Sequence, residues 1–262
     1  MQSNFNFFKL ESIPKSFDIL KNKPNQLYYT GDPTLLQSTH KIGIVGTRRP
    51  SPYTKNFVFS LARKISQNNG VVVSGGALGV DIIAQNAALP RTIMVSPASL
   101  DIIYPPANVS IITQIAQKAL ILSEYEKNYA PKNYSFIERN RLVIALSDWV
   151  IIPEADLQSG SMQSAKIAKE YHKPIFVLPQ RIIESKGTNY LLQNSLAQAI
   201  YDIDAFIQAI FGKQTKPQDE FLKYCKDMPT FEEAYLRYGD KVLEYEIEGK
   251  IVRENGLLKV TL

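Results

Sequence analysis

The amino-acid sequence predicts an α/β protein: a doubly wound, mostly parallel sheet, followed by a small winged-helix-like unit. Three observations carry this expectation. Short apolar runs rich in Val and Ile recur between His40 and Gln180. Amphipathic helical stretches separate them. A polar break containing Pro217 is then followed by a pattern of short helices rather than strands.

Taken in order, residues 1–39 read as an accessory segment packed on the sheet domain, which spans 40–212. Ile42-Gly43-Ile44-Val45 is the first buried strand. Phe57, Leu61 and Ile65 then recur at every fourth position, with Val58 and Ala62 beside them, the spacing of an amphipathic helix. Further strands are expected at 71–73, 92–95, 120–122, 149–152 and 175–178, and helices at 109–118, 136–146 and 161–171. Short apolar strands separated by helices indicate a parallel sheet covered on both faces. In such sheets ligands bind beyond the carboxyl ends of the strands. Residues 213–217 read as a linker, and 218–262 as a separate unit. That unit has helical stretches at 220–226, 231–238 and 240–248 and a strand-like ending at 257–262, which suggests a winged helix with a terminal hairpin.

Composition narrows the class. The 262 residues are 45% hydrophobic, enough for a real core. Met1-Gln2-Ser3-Asn4-Phe5 lacks the basic start and apolar stretch of a signal peptide, and no uncharged apolar run reaches spanning length, so no membrane association is expected. The single cysteine, Cys225, fits a reducing cytoplasm. His40 and His172 are isolated, so neither a metal nor any other cofactor is expected. The net charge of +5 is uneven. Residues 213–262 hold 9 basic and 10 acidic side chains, which leaves 21 basic and 15 acidic in the first 212. A basic main domain favours a polyanionic partner.

Four segments carry the candidate site. Gly46-Thr47-Arg48-Arg49 follows the first strand; the backbone turns tightly there, and the two guanidinium forks match phosphate oxygens. Ser74-Gly75-Gly76-Ala77-Leu78-Gly79-Val80-Asp81 joins the second strand to a helix. It matches neither the dinucleotide fingerprint nor the P-loop, and its glycines allow close backbone approach at a helix N-terminus. Asp81 reads as a structural acceptor of loop amides. Ser159-Gly160-Ser161 precedes another helix, first of all as a cap and, at the same sheet edge, as a candidate wall of the site. Lys132-Asn133-Tyr134-Ser135-Phe136-Ile137-Glu138-Arg139-Asn140-Arg141 mixes basic, amide and aromatic side chains, the means by which single strands are gripped and stacked. Of Arg139 and Arg141, one is free to pair with a carboxylate structurally. Glu154 and Asp156 read as solvated loop carboxylates, and no catalytic set emerges.

These motifs, in this order, resemble the DprA/Smf (DNA processing A) family, most closely its Helicobacter-type members. The resemblance runs from about Leu27 to Gln198. It includes Leu27-Tyr28, Gly31-Asp32, Ile44 to Arg48, Ser74 to Asp81, Tyr104-Pro105, Ser123-Glu124, Phe136 with Arg139-Asn140-Arg141, Ser159 to Ser161, and Gly187-Thr188-Asn189. It implies a Rossmann-like core and a non-enzymatic, dimeric protein that binds incoming single-stranded DNA during natural transformation, protects it and helps load RecA onto it. It further implies that Arg48, Arg49, Ser74, Gly75, Gly76, Ser159, Gly160 and Ser161 line a phosphate pocket and that Phe136, before Arg139, Asn140 and Arg141, meets the bases; Gly46, Thr47 and Lys132 join the candidate site from the residue pattern itself. Leu78 stands where many members carry arginine, which shifts weight to Arg48 and Arg49. The balance of charge in 213–262 argues for a protein contact or weak duplex binding there. The rival readings are a nucleotide phosphoribohydrolase-like enzyme, whose Pro-Gly-Gly-x-Gly-Thr loop is missing here, and a protein-interaction scaffold with a vestigial pocket.

Overall fold

The computed structural model describes residues 1–212 and 219–261. The predicted linker at 213–217 lies outside the described residues. The chain divides into two compact units, Met1–Phe211 and Gly212–Leu262.

The first unit is built on a nine-stranded sheet: β1 (Phe8–Lys9), β2 (Tyr28–Gly31), β3 (Lys41–Ile44), β4 (Val71–Ser74), β5 (Thr92–Val95), β6 (Leu120–Ser123), β7 (Trp149–Ile152), β8 (Ile175–Val177) and β9 (Gln198–Ala199). Its helices are α1 (Pro52–Gln67), α2 (Val80–Ala88), α3 (Val109–Lys118), α4 (Asn133–Leu146), α5 (Gly160–Glu170), α6 (Lys186–Gln193) and α7 (Ile203–Phe211). Strands run in the order β1-β2-β6-β5-β4-β3-β7-β8-β9. From β6 to β9 all pairs are parallel, and β2 and β1 close one edge antiparallel. Residues 1–39 therefore extend the sheet through β1 and β2 as well as packing against it. The backbone groups of β2 complete the ladder of β6, for example Tyr29 opposite Leu122.

The continuous apolar strands have the physical meaning expected of a two-sided sheet. All four residues of β4 are buried, and the pleat sends Val71 and Val73 to one face and Val72 to the other. On the first face they meet Ile112 and Ile115 of α3, Leu142 to Leu146 of α4 and Ala165 and Ala168 of α5. On the second, Val72 packs with Phe57, Leu61 and Ile65 of α1, Ala84 and Ala88 of α2, and Phe206 and Ile207 of α7. Burying a side chain of this size contributes about 1.5–3 kcal/mol.

The strand order also places the binding crevice. From β3 the chain steps outward through β4, β5 and β6, then returns to lay β7 on the other side of β3. The connections leaving β3 and β7 diverge to opposite sides, so a crevice opens between their carboxyl ends, the usual binding place in doubly wound sheets.

The second unit holds α8 (Glu220–Cys225), α9 (Phe231–Tyr238) and α10 (Lys241–Ile247), then a hairpin of β10 (Ile251–Glu254) and β11 (Leu257–Val260). Asn255 and Gly256, both at positive φ, make its two-residue turn. Phe221, Cys225, Ala234, Val242, Ile251 and Leu258 form its core. Among the described residues no helix is long and apolar enough to cross a membrane, and no cluster of three or more His, Cys, Asp or Glu side chains could hold a metal ion.

Candidate nucleic-acid interface

The crevice between β3 and β7 is a cavity of about 270 Å³. Its floor and walls come from Val45 to Arg48 after β3, Ala77 and Asp81 near the start of α2, Phe136, Ile137, Arg139 and Asn140 of α4, and Ser159 to Ser161 with Ser164 at the start of α5. The loop after β3 is pinned from two sides. Thr47 N donates to Glu154 O (2.9 Å), and Val80 N donates to Thr47 O (3.2 Å). Gly79, at φ +81°, lets the α2 entry press on this loop; a Cβ there would lie 2.4 Å from Thr47 O. The Glu154 carboxylate accepts from the amide (3.0 Å) and hydroxyl (3.1 Å) of Ser51, just before α1. It anchors the loop that carries Arg48 and is not the solvated carboxylate its sequence context suggests.

Beneath the crevice lies a buried charge. Arg139 is only 4% exposed. Its Nη1 donates to Val95 O (3.0 Å) and its Nε to Asn140 Oδ1 (3.0 Å). Space for the guanidinium is made by Gly75: a Cβ on that residue would sit 1.5 Å from Arg139 Nη1. Asp81, 5% exposed, accepts from Gly75 N (3.2 Å). Burial pushes the Asp81 carboxyl up, and the nearby Arg139 works against that shift. Burial likewise pushes the Arg139 guanidinium down, and Asp81 opposes it. The two opposite charges, without direct contact, offset part of each other's burial cost.

The rim is aromatic and cationic. Phe136 is half-buried, tilted against Tyr104 (ring centroids 5.4 Å apart), with the Arg48 guanidinium 5.9 Å from its ring centre. Phe136, Arg48, Arg139 and Ala77 also border a second, smaller cavity of about 50 Å³, completed by Gly75, Leu78, Pro97, Tyr104 and Pro105. Opposite stands the N-terminus of α5. The Ser159 hydroxyl caps it by accepting from Met162 N (3.3 Å). The amides of Gly160 and Ser161 find no acceptor among the described residues. A helix start with free N–H groups favours an anion, and it faces a cavity with two arginines.

Gly46, Thr47, Arg48, Phe136, Arg139, Asn140, Ser159, Gly160 and Ser161 are thus brought together on the main cavity, and Gly75 on the smaller one. Five expected residues stand elsewhere. Ser74 is fully buried and donates its hydroxyl to Ile44 O (2.6 Å), because the strand it ends is covered on both faces. Gly76 is buried against Met94, 2.4 Å from where a Cβ would be. Arg141 is turned by the helical spacing to another face of α4, where it pairs with Glu124 (2.6 Å) beside Tyr125 and Glu138. Arg49 is exposed and lines neither cavity. Lys132 precedes α4, its ammonium 5.5 Å from the Tyr129 ring centre and 5.8 Å from that of Tyr134. Sequence reasoning missed Tyr104, Ala77, Pro97, Ile137 and Ser164 as lining residues. Tyr104 and Ala77 carried a signal as part of the family pattern, and Ile137 lay within the basic and aromatic segment 132–141; Pro97 and Ser164 carried none.

Comparison with known proteins bears on the first unit and its fold. A family model described as DNA recombination-mediator protein A matches residues 4–211. The protein Smf of Synechocystis is 36% identical over 183 residues, 67% of this chain but 46% of that protein. DNA processing protein DprA of Bacillus subtilis is 33% identical over 203 residues, 76% of this chain and 68% of its own length. The chain therefore spans about half to two thirds of the curated relatives it matches. A solved structure of DNA processing protein A from Helicobacter pylori, reported for its single-stranded DNA binding mode, superposes with a TM-score of 0.79. It is 59% identical and covers 80% of this chain and 97% of that one. The Streptococcus pneumoniae DprA structure has a TM-score of 0.72 and 30% identity, covering 79% of this chain and 75% of its own.

Proposed function

The chain belongs to the DNA recombination-mediator protein A family, and from that premise we propose that it is a non-enzymatic binder of single-stranded DNA. In this reading it receives DNA taken up during natural transformation, shields it and passes it to a RecA recombinase. It works in the cytoplasm as a homodimer, and its second unit makes a protein contact or binds duplex weakly. Support comes from relatives named DNA processing protein and from the single-stranded DNA binding reported for the Helicobacter pylori protein.

The observation that carries the reading is the convergence, at one sheet edge, of a helix start with free amides, two arginines and a half-buried phenylalanine. A phosphate set against Gly160 N and Ser161 N meets the positive end of α5, with Arg48 able to reach it from the facing loop. The adjoining base lies against Phe136, where stacking is worth roughly 1–3 kcal/mol. Arg139 acts from below, as a buried cation that keeps the cavity attractive to an anion. Backbone gripping and stacking carry little sequence preference.

Fluorescence anisotropy of a labelled single strand, titrated with salt, tests this. Arg48→Ala should lower affinity and flatten the logarithmic salt slope by about 0.7, the signature of one phosphate fewer neutralised. Phe136→Ala should lower affinity by about tenfold or more and leave the slope alone. Wild-type binding by both variants would remove the proposed site.

A further inference from the structure

We propose that Tyr134, with Lys132 beside it, forms a second stacking platform that takes the next part of a single strand beyond the base held at Phe136; this rests on the single-strand reading above. At the entrance to α4 three tyrosines and a lysine make one cluster. Tyr125 and Tyr129 stack face to face, 4.0 Å between centroids and 1° between planes. The Tyr129 hydroxyl donates to that of Tyr134 (3.0 Å), and the Lys132 ammonium stands over both the Tyr129 and the Tyr134 rings.

Helix capping accounts for part of this arrangement and not for the rest. Lys132 N donates to the Ser135 hydroxyl (3.0 Å), and Tyr129 reaches the same hydroxyl (3.2 Å), so Tyr129 helps close the first turn of α4. Nothing in that role needs Tyr134, which keeps 48% of its surface exposed, with an exposed cation beside its ring. An exposed ring paired with a lysine is the combination that holds a base by its face and the adjoining phosphate by charge.

Tyr134 and Phe136 stand two residues apart near the start of α4, about 200° round the helix, so a strand that touches both rings must round the first turn of α4. Tyr125, stacked on Tyr129, donates its hydroxyl to Glu138 (3.0 Å), and Glu138 lines a cavity with Glu124 and Arg141. Arg141 neutralises Glu124, and Glu138 borders the platform on one side, so Lys132 is the cation that meets a phosphate beside Tyr134.

The test is a length series of oligothymidylates on the full chain, with wild type, Tyr134→Ala, Tyr134→Phe and Phe136→Ala. Phe136→Ala should weaken every length. Tyr134→Ala should leave strands of ~3 nucleotides unchanged and weaken those of ~8 by about tenfold, while Tyr134→Phe, which keeps the ring, binds as wild type. If Phe136→Ala weakens binding and Tyr134→Ala matches wild type at every length, the platform is wrong and the main site stands. If Phe136→Ala has no effect, or wild type binds no strand, both are wrong. Weakening equal at all lengths in Tyr134→Ala also overturns the platform as a separate subsite.

Discussion

Removing the Arg139 guanidinium while keeping its bulk, as in Arg139→Met, isolates the buried pair on which the crevice rests. Two hydrogen bonds disappear, to Val95 O and Asn140 Oδ1. Asp81, 5% exposed, then keeps only the Gly75 amide and neighbouring loop amides as favourable partners. Arg139 and Asp81 interact across the site rather than in direct contact, so the loss is smaller than the about 3–5 kcal/mol of breaking a contact pair; about 2–3 kcal/mol is expected, the two missing hydrogen bonds included. That is a large share of the roughly 5–15 kcal/mol typical of a domain, and it leaves a folded variant to measure. Asp81→Asn in the same background removes the stranded charge, and the double variant should recover about 1–3 kcal/mol relative to the sum of the singles. The pH dependence has a definite sign. A carboxyl whose pKa is raised by folding favours the folded state while protonated and opposes it once ionised, so its cost is present above the folded pKa and fades as pH falls through it. The deficit of Arg139→Met should therefore be largest near neutrality and shrink on acidification, whereas Arg139→Met with Asp81→Asn should show no such recovery. Urea unfolding across a pH series reads all of this. A destabilisation below about 1 kcal/mol, or strict additivity of the two substitutions, would refute the coupling.

Arg141→Ala should destabilise the first unit by about 2 kcal/mol, since Glu124 loses its cation while largely buried, and should leave single-strand affinity unchanged; a drop in affinity comparable to that of Arg48→Ala would return Arg141 to the site. In the second unit the Tyr245 hydroxyl, with Lys241 and the first amides of α8, holds the Asp219 carboxyl down at about 2. A depressed carboxyl stabilises above its unfolded pKa and loses that contribution as pH falls through the folded one, so this unit should weaken between about pH 5 and pH 2. Tyr245→Phe should lower its stability near neutrality by about 1 kcal/mol and narrow that acid window, the latter visible by NMR titration of the Asp219 carboxyl and the former by urea unfolding; an unchanged Asp219 titration would refute the assignment.

Much of the architecture was legible along the chain because its determinants are local. A run such as Val71-Val72-Val73 is buried on both faces whichever strands flank it, and Phe57, Leu61 and Ile65 mark one helix face by spacing alone. The turn glycines of the β3, β4 and β7 connections were visible for the same reason, and so was the basic and aromatic content of α4. What the chain could not show is strand order. Only the return of β7 to the side of β3 creates the crevice, and that depends on residues far apart in sequence, such as Ile44 opposite Ile151. The same folding decides which members of a motif are spent inside. Ser74 is consumed by Ile44 O, Arg141 by Glu124, and Gly75 serves the Arg139 guanidinium rather than a ligand. Residue type and local spacing determined that this protein has a doubly wound sheet with glycine, serine and arginine gathered in the loops after its strands. Which of its arginines, serines and glycines face the crevice was settled in three dimensions, because a buried polar group must take whatever partner the packing brings within hydrogen-bond distance.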